Sequence, residues 1–166
     1  MPHSMIIGMS TSGKTTLAKK LANAYTNKGI NVLILDPLSD PDFVGSYKTR
    51  SPSEFIKVCR DNEHCAVFVD EAGSNVGRFD KEMVELVTRG RHWGHKVHLI
   101  SQRGVQISTT ARDQCTDLYM FTTSLNDCKV HANEWNSNEL LTGSSLNKGE
   151  YFHTTRFSVC KKYKIF

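Results

Sequence analysis

The chain has 166 residues, 39% of them hydrophobic and 23% charged, enough apolar side chains for one packed domain. These figures exclude a disordered, fibrous or collagen-like chain. The formal charge of +4 permits contact with a polyanion without demanding it.

The predicted elements alternate. "SMIIG" (4–8) is a short apolar run closed by glycine and predicts a buried strand. Leu17, Ala18, Leu21, Ala24 and Tyr25 recur at helical spacing and predict a helix from Lys14 to Lys28, closed by Gly29. "NVLILD" (31–36) predicts a second strand that stops at Asp36-Pro37, and the stretch to Arg50 reads as a polar connection. Ser51-Pro52-Ser53-Glu54 sets an N-cap serine before a first-turn proline and a glutamate, so a helix should run to about Arg60. "CAVFVDE" (65–71) is a third strand; 80–89 is a helix with Met83, Leu86 and Val87 on one face; "KVHLISQ" (96–102) is a fourth strand. A short helix within 108–115, a fifth strand at 118–123 and a helix over 126–135 follow. Residues 150–166 are rich in β-branched and aromatic residues and predict a terminal strand pair. Continuously apolar strands alternating with helices predict an α/β fold: one domain over 1–166, a mostly parallel sheet covered on both faces.

Residues 8–16, "GMSTSGKTT", fit G-x-x-x-x-G-K-[ST] between a strand and a helix. Gly8 and Gly13 let the backbone N–H groups converge on phosphate oxygens, and the helix N-terminus adds partial positive charge. Lys14 reaches the β- and γ-phosphates and Thr15 offers its hydroxyl to Mg²⁺. Gly8, Ser10, Ser12, Gly13, Lys14, Thr15 and Thr16 are thus the candidate ATP-binding residues.

The third strand ends in Asp70-Glu71. Asp70 is placed to hold the Mg²⁺ shell, and Glu71 to accept a proton from, or orient, the water that attacks the γ-phosphate. A kinase must exclude that water, so the adjacent glutamate points to hydrolysis. The fourth strand ends in Ser101-Gln102. An amide there can donate to phosphate and accept from water at once, which makes Gln102 a candidate γ-phosphate sensor. In "VTRGRHWGHKV", Arg91 lies just past a helix and is the candidate arginine finger reaching a neighbouring subunit's nucleotide; Arg89, Arg78 and Arg103 are its rivals.

His92, His95 and His98 are spaced by three, but no carboxylate or cysteine completes a site, so no metal beyond Mg²⁺ is expected. Trp93 is expected to pack against the sheet. The five cysteines (Cys59, Cys65, Cys115, Cys128, Cys160) are odd in number and lack C-x-x-C spacing, which argues against disulfides and for a reducing, intracellular compartment. "MPHSMIIG" does not read as a signal peptide, and no apolar run is long enough for a membrane span.

The ordered set "GMSTSGKTT", "ILDP", "VFVDEAG" and "TRGRHWGHKVHLISQR", with a terminal strand pair, resembles the FtsK–HerA superfamily of P-loop ATPases. Within it, the set is most similar to the small genome-packaging ATPases of internal-membrane and large DNA viruses, tectivirus-like and poxvirus-like. Arg91-His92 and Ser101-Gln102 match the family's Arg-His pair and its strand ending in Ser-Gln. The resemblance spans about residues 4–123. It implies a RecA-like core with strand order 5-1-4-3-2 and Mg-dependent ATP hydrolysis. It also implies a homo-oligomeric ring, pentamer or hexamer, around double-stranded DNA, with the finger supplied in trans. Capsid vertex proteins as partners, and a place in host cytoplasm or virion, would follow. The chain has little room for a separate DNA-gripping domain, so basic loops around Lys48–Arg50 or Arg103–Arg112 would have to serve.

Three other P-loop classes would place different residues in the chain. A nucleoside or nucleotide kinase should show an Arg-rich lid, and "ARDQCTD" holds one arginine. A partition-type switch should carry an extra lysine early in the loop, where Met9-Ser10-Thr11-Ser12 stand. A filamentous-phage-type assembly ATPase should bring a membrane span.

Overall fold

The computed structural model describes residues 3–75 and 81–166. Among these, eight strands form one sheet: β1 (His3–Ile7), β2 (Val32–Leu35), β3 (Tyr47–Thr49), β4 (Ala66–Val69), β5 (Lys96–Ser101), β6 (Cys115–Met120), β7 (Glu150–Thr155) and β8 (Ser158–Lys164). Their order across the sheet is β3-β2-β4-β5-β1-β6-β7-β8. β3 to β6 of that row pair in parallel, and β7 and β8 add on antiparallel. The expected core order, counted on the predicted strands, is β6-β1-β5-β4-β2, as observed.

Two boundaries differ from expectation. The connection after β2 contains β3, three half-buried residues added in parallel to β2 at the sheet edge. So short a strand has no room for an apolar pattern. β6 begins at Cys115, three residues before the predicted start, because it follows β1 down to His3 through a register shift. Its Thr116 and Asp117 mask the strand in the sequence.

The helices are α1 (Lys14–Asn27), α2 (Pro52–Asp61), α3 (Ala72–Asn75), α4 (Lys81–Arg89), α5 (Thr109–Asp113) and α6 (Leu125–Glu134). Local rules start and stop them. Ser51 Oγ accepts the Glu54 amide at 3.4 Å at the start of α2, and Gly29 closes α1 at φ +75°. Strand residues alternate between two faces. Ile6, Ile34, Phe68 and Ile100 meet Leu17, Ala18 and Ala22 of α1. Met5, Leu35, Val67 and Leu99 face Phe55 of α2, Met83 and Leu86 of α4, and the rest of the opposite core. Each large aliphatic so buried contributes about 1.5–3 kcal/mol. The loop after β2 is anchored too. Phe43 is fully buried edge-on to Phe68 at 5.7 Å, and the Asp36 carboxylate accepts the amides of Leu38 and Asp40 at 3.1 and 2.7 Å. The five cysteines are free thiols. Among the described residues no helix is long and apolar enough to cross a membrane.

His3, His95 and His98 are core members, whereas His92 is exposed. His95 accepts the Cys65 amide and donates to Cys59 O. His3 donates to Val87 O at 2.9 Å and accepts the Val97 amide at 3.0 Å, so it is held in one neutral tautomer. His98 sits between the hydroxyls of Ser4 and Tyr25 and stacks on Phe68 at 4.6 Å. Burial, then the charge of Lys96, pushes His98 down to about 3; burial, then Arg91, pushes His3 down to about 4.

The sign of the effect on stability follows. Below about pH 6.5 both imidazoles take a proton in the unfolded chain but not in the fold, so the unfolded state binds more protons and stability falls as pH falls. The slope reaches about 1.4 kcal/mol per pH unit per histidine, and for His98 the window runs from about 6.5 down to about 3. Urea unfolding at pH 7, 6 and 5 should show a midpoint that falls less steeply with falling pH in His98→Gln than in the parent. An unchanged slope in the variant would discharge His98 as a source.

Candidate active site

Parallel strands deliver their carboxyl ends to one edge, and the site lies there. The 8–13 loop leaves β1 tied on both sides: Gly8 N donates to Ser101 O at 3.2 Å and Met9 N to Thr122 O at 2.9 Å. Gly8 (φ +151°) and Gly13 (φ +119°) hold backbone conformations that side chains resist. There is also no space for one: a Cβ on Gly8 would lie 2.6 Å from Phe121 Cβ. Thr11 takes the left-handed region at φ +64°.

α1 starts at Lys14. Its first intrahelical bond runs from Leu17 N to Gly13 O at 3.1 Å, so the amides of Lys14, Thr15 and Thr16 have no acceptor within the helix. No acidic side chain lies in that first turn, and Gly13 offers no capping group. Ser12 Oγ is buried without a hydrogen-bond partner among the described residues. A cavity of about 310 Å³ opens over Thr11, Gly13, Lys14, Thr15 and Thr16. Unclaimed amides, an orphaned hydroxyl and a helix N-terminus make an anion cradle that fits a chain of phosphates.

Lys14 is buried in it. Burial lowers its pKa, while the charges of Asp70 and Glu71 pull the other way. Asp70 N is held by Leu35 O at 2.9 Å just past β4, and Asp70 Oδ1 accepts the Glu71 amide at 2.9 Å. Glu71 itself adopts φ +53°, a strained turn for a residue with a side chain. Burial first, then Glu71 and Asp36, push the Asp70 carboxyl up to about 6 against the pull of Lys14. Crowded acidic groups of this kind fit a hard divalent cation, and the residues that could hold Mg²⁺ are Asp70 and the Thr15 hydroxyl.

Gln102 follows β5. Ser101 Oγ donates to Arg103 O and accepts the Arg103 amide, which kinks the chain and leaves Gln102 exposed. Gln102 then lines a cavity of about 440 Å³ with Met9, Ser10 and Thr123, beside the cradle. Arg103 is held there by a two-pronged contact, Nε and Nη2 each 3.0 Å from Asp127. Asp127 is a residue that sequence reasoning misses, because it reads as an ordinary first-turn helix residue. Asp36 is missed too, although an acid after an apolar strand is the same signal that picks out Asp70.

Arg91 is not brought to this edge. Past α4, at the amino ends of the strands, it donates from Nη2 to Gln114 O at 2.8 Å. Arg89 pairs with Glu85 at 3.1 Å, and Arg78 lies outside the described residues. The expected basic loops are largely committed internally. Lys48 donates to Asp40 O and Phe43 O, and Arg112 is buried against Glu134. Arg50 is exposed.

No protein-family model matches the chain, and no curated protein matches it by sequence. Solved structures do match. The genome packaging NTPase B204 from Sulfolobus turreted icosahedral virus 2, in complex with ATP-gammaS, aligns at a TM-score of 0.83 with 18% identity, covering 99% of this chain and 98% of that one. The DNA-packaging ATPase B204 from Sulfolobus turreted icosahedral virus gives a TM-score of 0.80 with 18% identity and the same coverage. VirB4 of Thermoanaerobacter pseudethanolicus gives 0.76 with 11% identity, over 99% of this chain and 89% of that one. At such identities the likeness is one of fold: the chain shares the P-loop NTPase architecture of these structures, a mostly parallel sheet with an antiparallel strand pair at its C-terminal side.

The tight fit around the loop is testable on its own. Gly8→Ala should cost about 2 kcal/mol or more in urea unfolding, since it combines a disfavoured φ with a backbone-side clash. A cost near zero would mean that the loop has room to relax.

Proposed function

We propose that the chain is the ATP-hydrolysing subunit of a motor that translocates double-stranded DNA, as in viral genome packaging. The observation that carries the ATPase part is the strand order. With β1, β5 and β4 adjacent, the loop holding Lys14, the residue Gln102 and the pair Asp70-Glu71 leave neighbouring strand ends. The DNA part rests on the likeness of fold to proteins described as genome-packaging NTPases.

In this reading the amides of Lys14, Thr15 and Thr16 bind the phosphates, and the Lys14 ammonium lies against the β- and γ-phosphates. Thr15 and Asp70 hold Mg²⁺, which when bound neutralises charge on the phosphate oxygens. Glu71 orients the attacking water and takes its proton, as the oxygen adds to the γ-phosphorus and the bond to the β-phosphate oxygen breaks, leaving ADP and phosphate. Gln102 donates its amide to a γ-phosphate oxygen and accepts from the water.

Arg91 belongs to the same proposal in another subunit. It stands at the edge opposite its own cradle, so a γ-phosphate comes within its reach only across an interface. A ring of copies around DNA supplies that geometry and makes hydrolysis depend on assembly.

Glu71→Gln should bind ATP as the parent does and hydrolyse it about a hundredfold more slowly or worse. Full turnover in that variant would sink the role of Glu71. ATPase activity should rise on adding double-stranded DNA, and specific activity should rise with protein concentration. Arg91→Ala should lose the concentration dependence together with most of the rate; activity that stays the same in Arg91→Ala would sink the trans finger.

A further inference from the structure

The cradle has a second wall that no motif marks. Besides the loop and the start of α1, its cavity is lined by Lys148 and Phe166. Both are far away in sequence and both are tied to the loop through backbone. Gly149 N donates to Ser12 O at 2.9 Å, and Ile165 N donates to Gly149 O at 2.7 Å. Ile165 also packs on the loop: a Cβ on Gly13 would lie 3.1 Å from its Cγ2. Lys148 Nζ stands over the Phe166 ring, 5.8 Å from its centroid. Phe166 is 53% exposed, with one ring edge against Gly149, so surface of the residue remains available to a ligand.

The strand order gives this wall a direction. β5 and β4 lie on one side of β1, and with them Gln102, Asp70 and Glu71. β6, β7 and β8 lie on the other, and with them Lys148 and Phe166. A triphosphate whose γ-group meets Glu71 and Gln102 runs along the loop away from β4. Its nucleoside end therefore leaves on the side of β7 and β8.

We infer that Phe166, backed by Lys148, is the base-stacking platform of the nucleotide site and gives it a preference for purine triphosphates. This rests on the nucleotide reading of the cradle. Stacking on an exposed aromatic face grows with ring overlap, and a bicyclic base covers more of a phenyl ring than a monocyclic one. The ammonium of Lys148 holds the ring by a cation–π contact and adds positive charge beside the phosphates. Stacking reads ring size and not exocyclic groups, so ATP and GTP are both ligands of this wall.

The test separates the base from the phosphates. Dissociation constants for ATP, CTP and inorganic tripolyphosphate are measured on the full chain, for the parent, Phe166→Ala, Phe166→Trp, Lys148→Ala and Lys14→Ala. Phe166→Ala should weaken ATP about tenfold, weaken CTP less, and leave tripolyphosphate binding as it was. Phe166→Trp should restore ATP, and Lys148→Ala should weaken it a few-fold. If Phe166→Ala weakens tripolyphosphate as much as ATP, the residue merely props the loop and the inference fails. If it leaves ATP unchanged, the base lies elsewhere and the inference fails again. Lys14→Ala reports on the cradle separately: loss of both ATP and tripolyphosphate supports the nucleotide reading whatever Phe166 does, and retention of both overturns that reading.

Discussion

Everything in the site hangs on the parallel ladders that β1 forms with β5 and β6. Pairing of Ile7 with Ser101 on one side and with Met120 on the other sets where the three chains end. The loop after β1 then continues both ladders by one bond each, from Gly8 to Ser101 and from Met9 to Thr122. A one-residue slip would turn each strand's apolar set to the wrong face. Because both faces are buried, register is strongly fixed, and the site inherits that precision. The geometry of the candidate site is thus a by-product of core packing.

The same burial sets the electrostatics. Lys14, Asp70 and Asp36 lie at the end of an apolar sheet where charge is poorly solvated. Burial pushes the lysine toward its neutral form and Asp70 toward its own, and the charge of each opposes that push on the other. A polyanion with its cation adds charge of both signs to this cluster and satisfies the amides of the α1 start as well. Burial elsewhere in the sheet is handled differently: His3, His95 and His98 stay as hydrogen-bonded core groups and carry no site.

The parallel half of the molecule is legible in the sequence and the antiparallel half much less so. "MIIG", "VLIL", "AVFV" and "VHLIS" are largely apolar runs, and each ends in or leads directly to a residue at the edge of the candidate site: Gly8, Asp36, Asp70 or Gln102. Chain order plus right-handed crossovers then leaves few sheet orders to choose from. β3 is too short to show a pattern, and β6 hides behind Thr116 and Asp117. Asp127 reads as an ordinary first-turn helix residue and proves to be the partner of Arg103. Arg112 and Lys48 read as free basic residues because a sequence does not show which carbonyls and carboxylates surround a side chain.

Lys148 and Phe166 show why the base side of the site escapes spacing rules. The γ-phosphate side needs a fixed ammonium, a carboxylate and an amide, and only a few residue types supply them. The base side needs a flat apolar surface at the right height. Backbone bonds through Gly149 and Ile165 set that height whatever the side chains are. Several aromatic or aliphatic residues would serve there, so no motif forms. A chain can therefore keep 99% of its length aligned with a packaging NTPase at 18% identity. A flat apolar wall can be met by many side chains, whereas a fixed charge can be met by few, and away from such charges the fold asks only for shape.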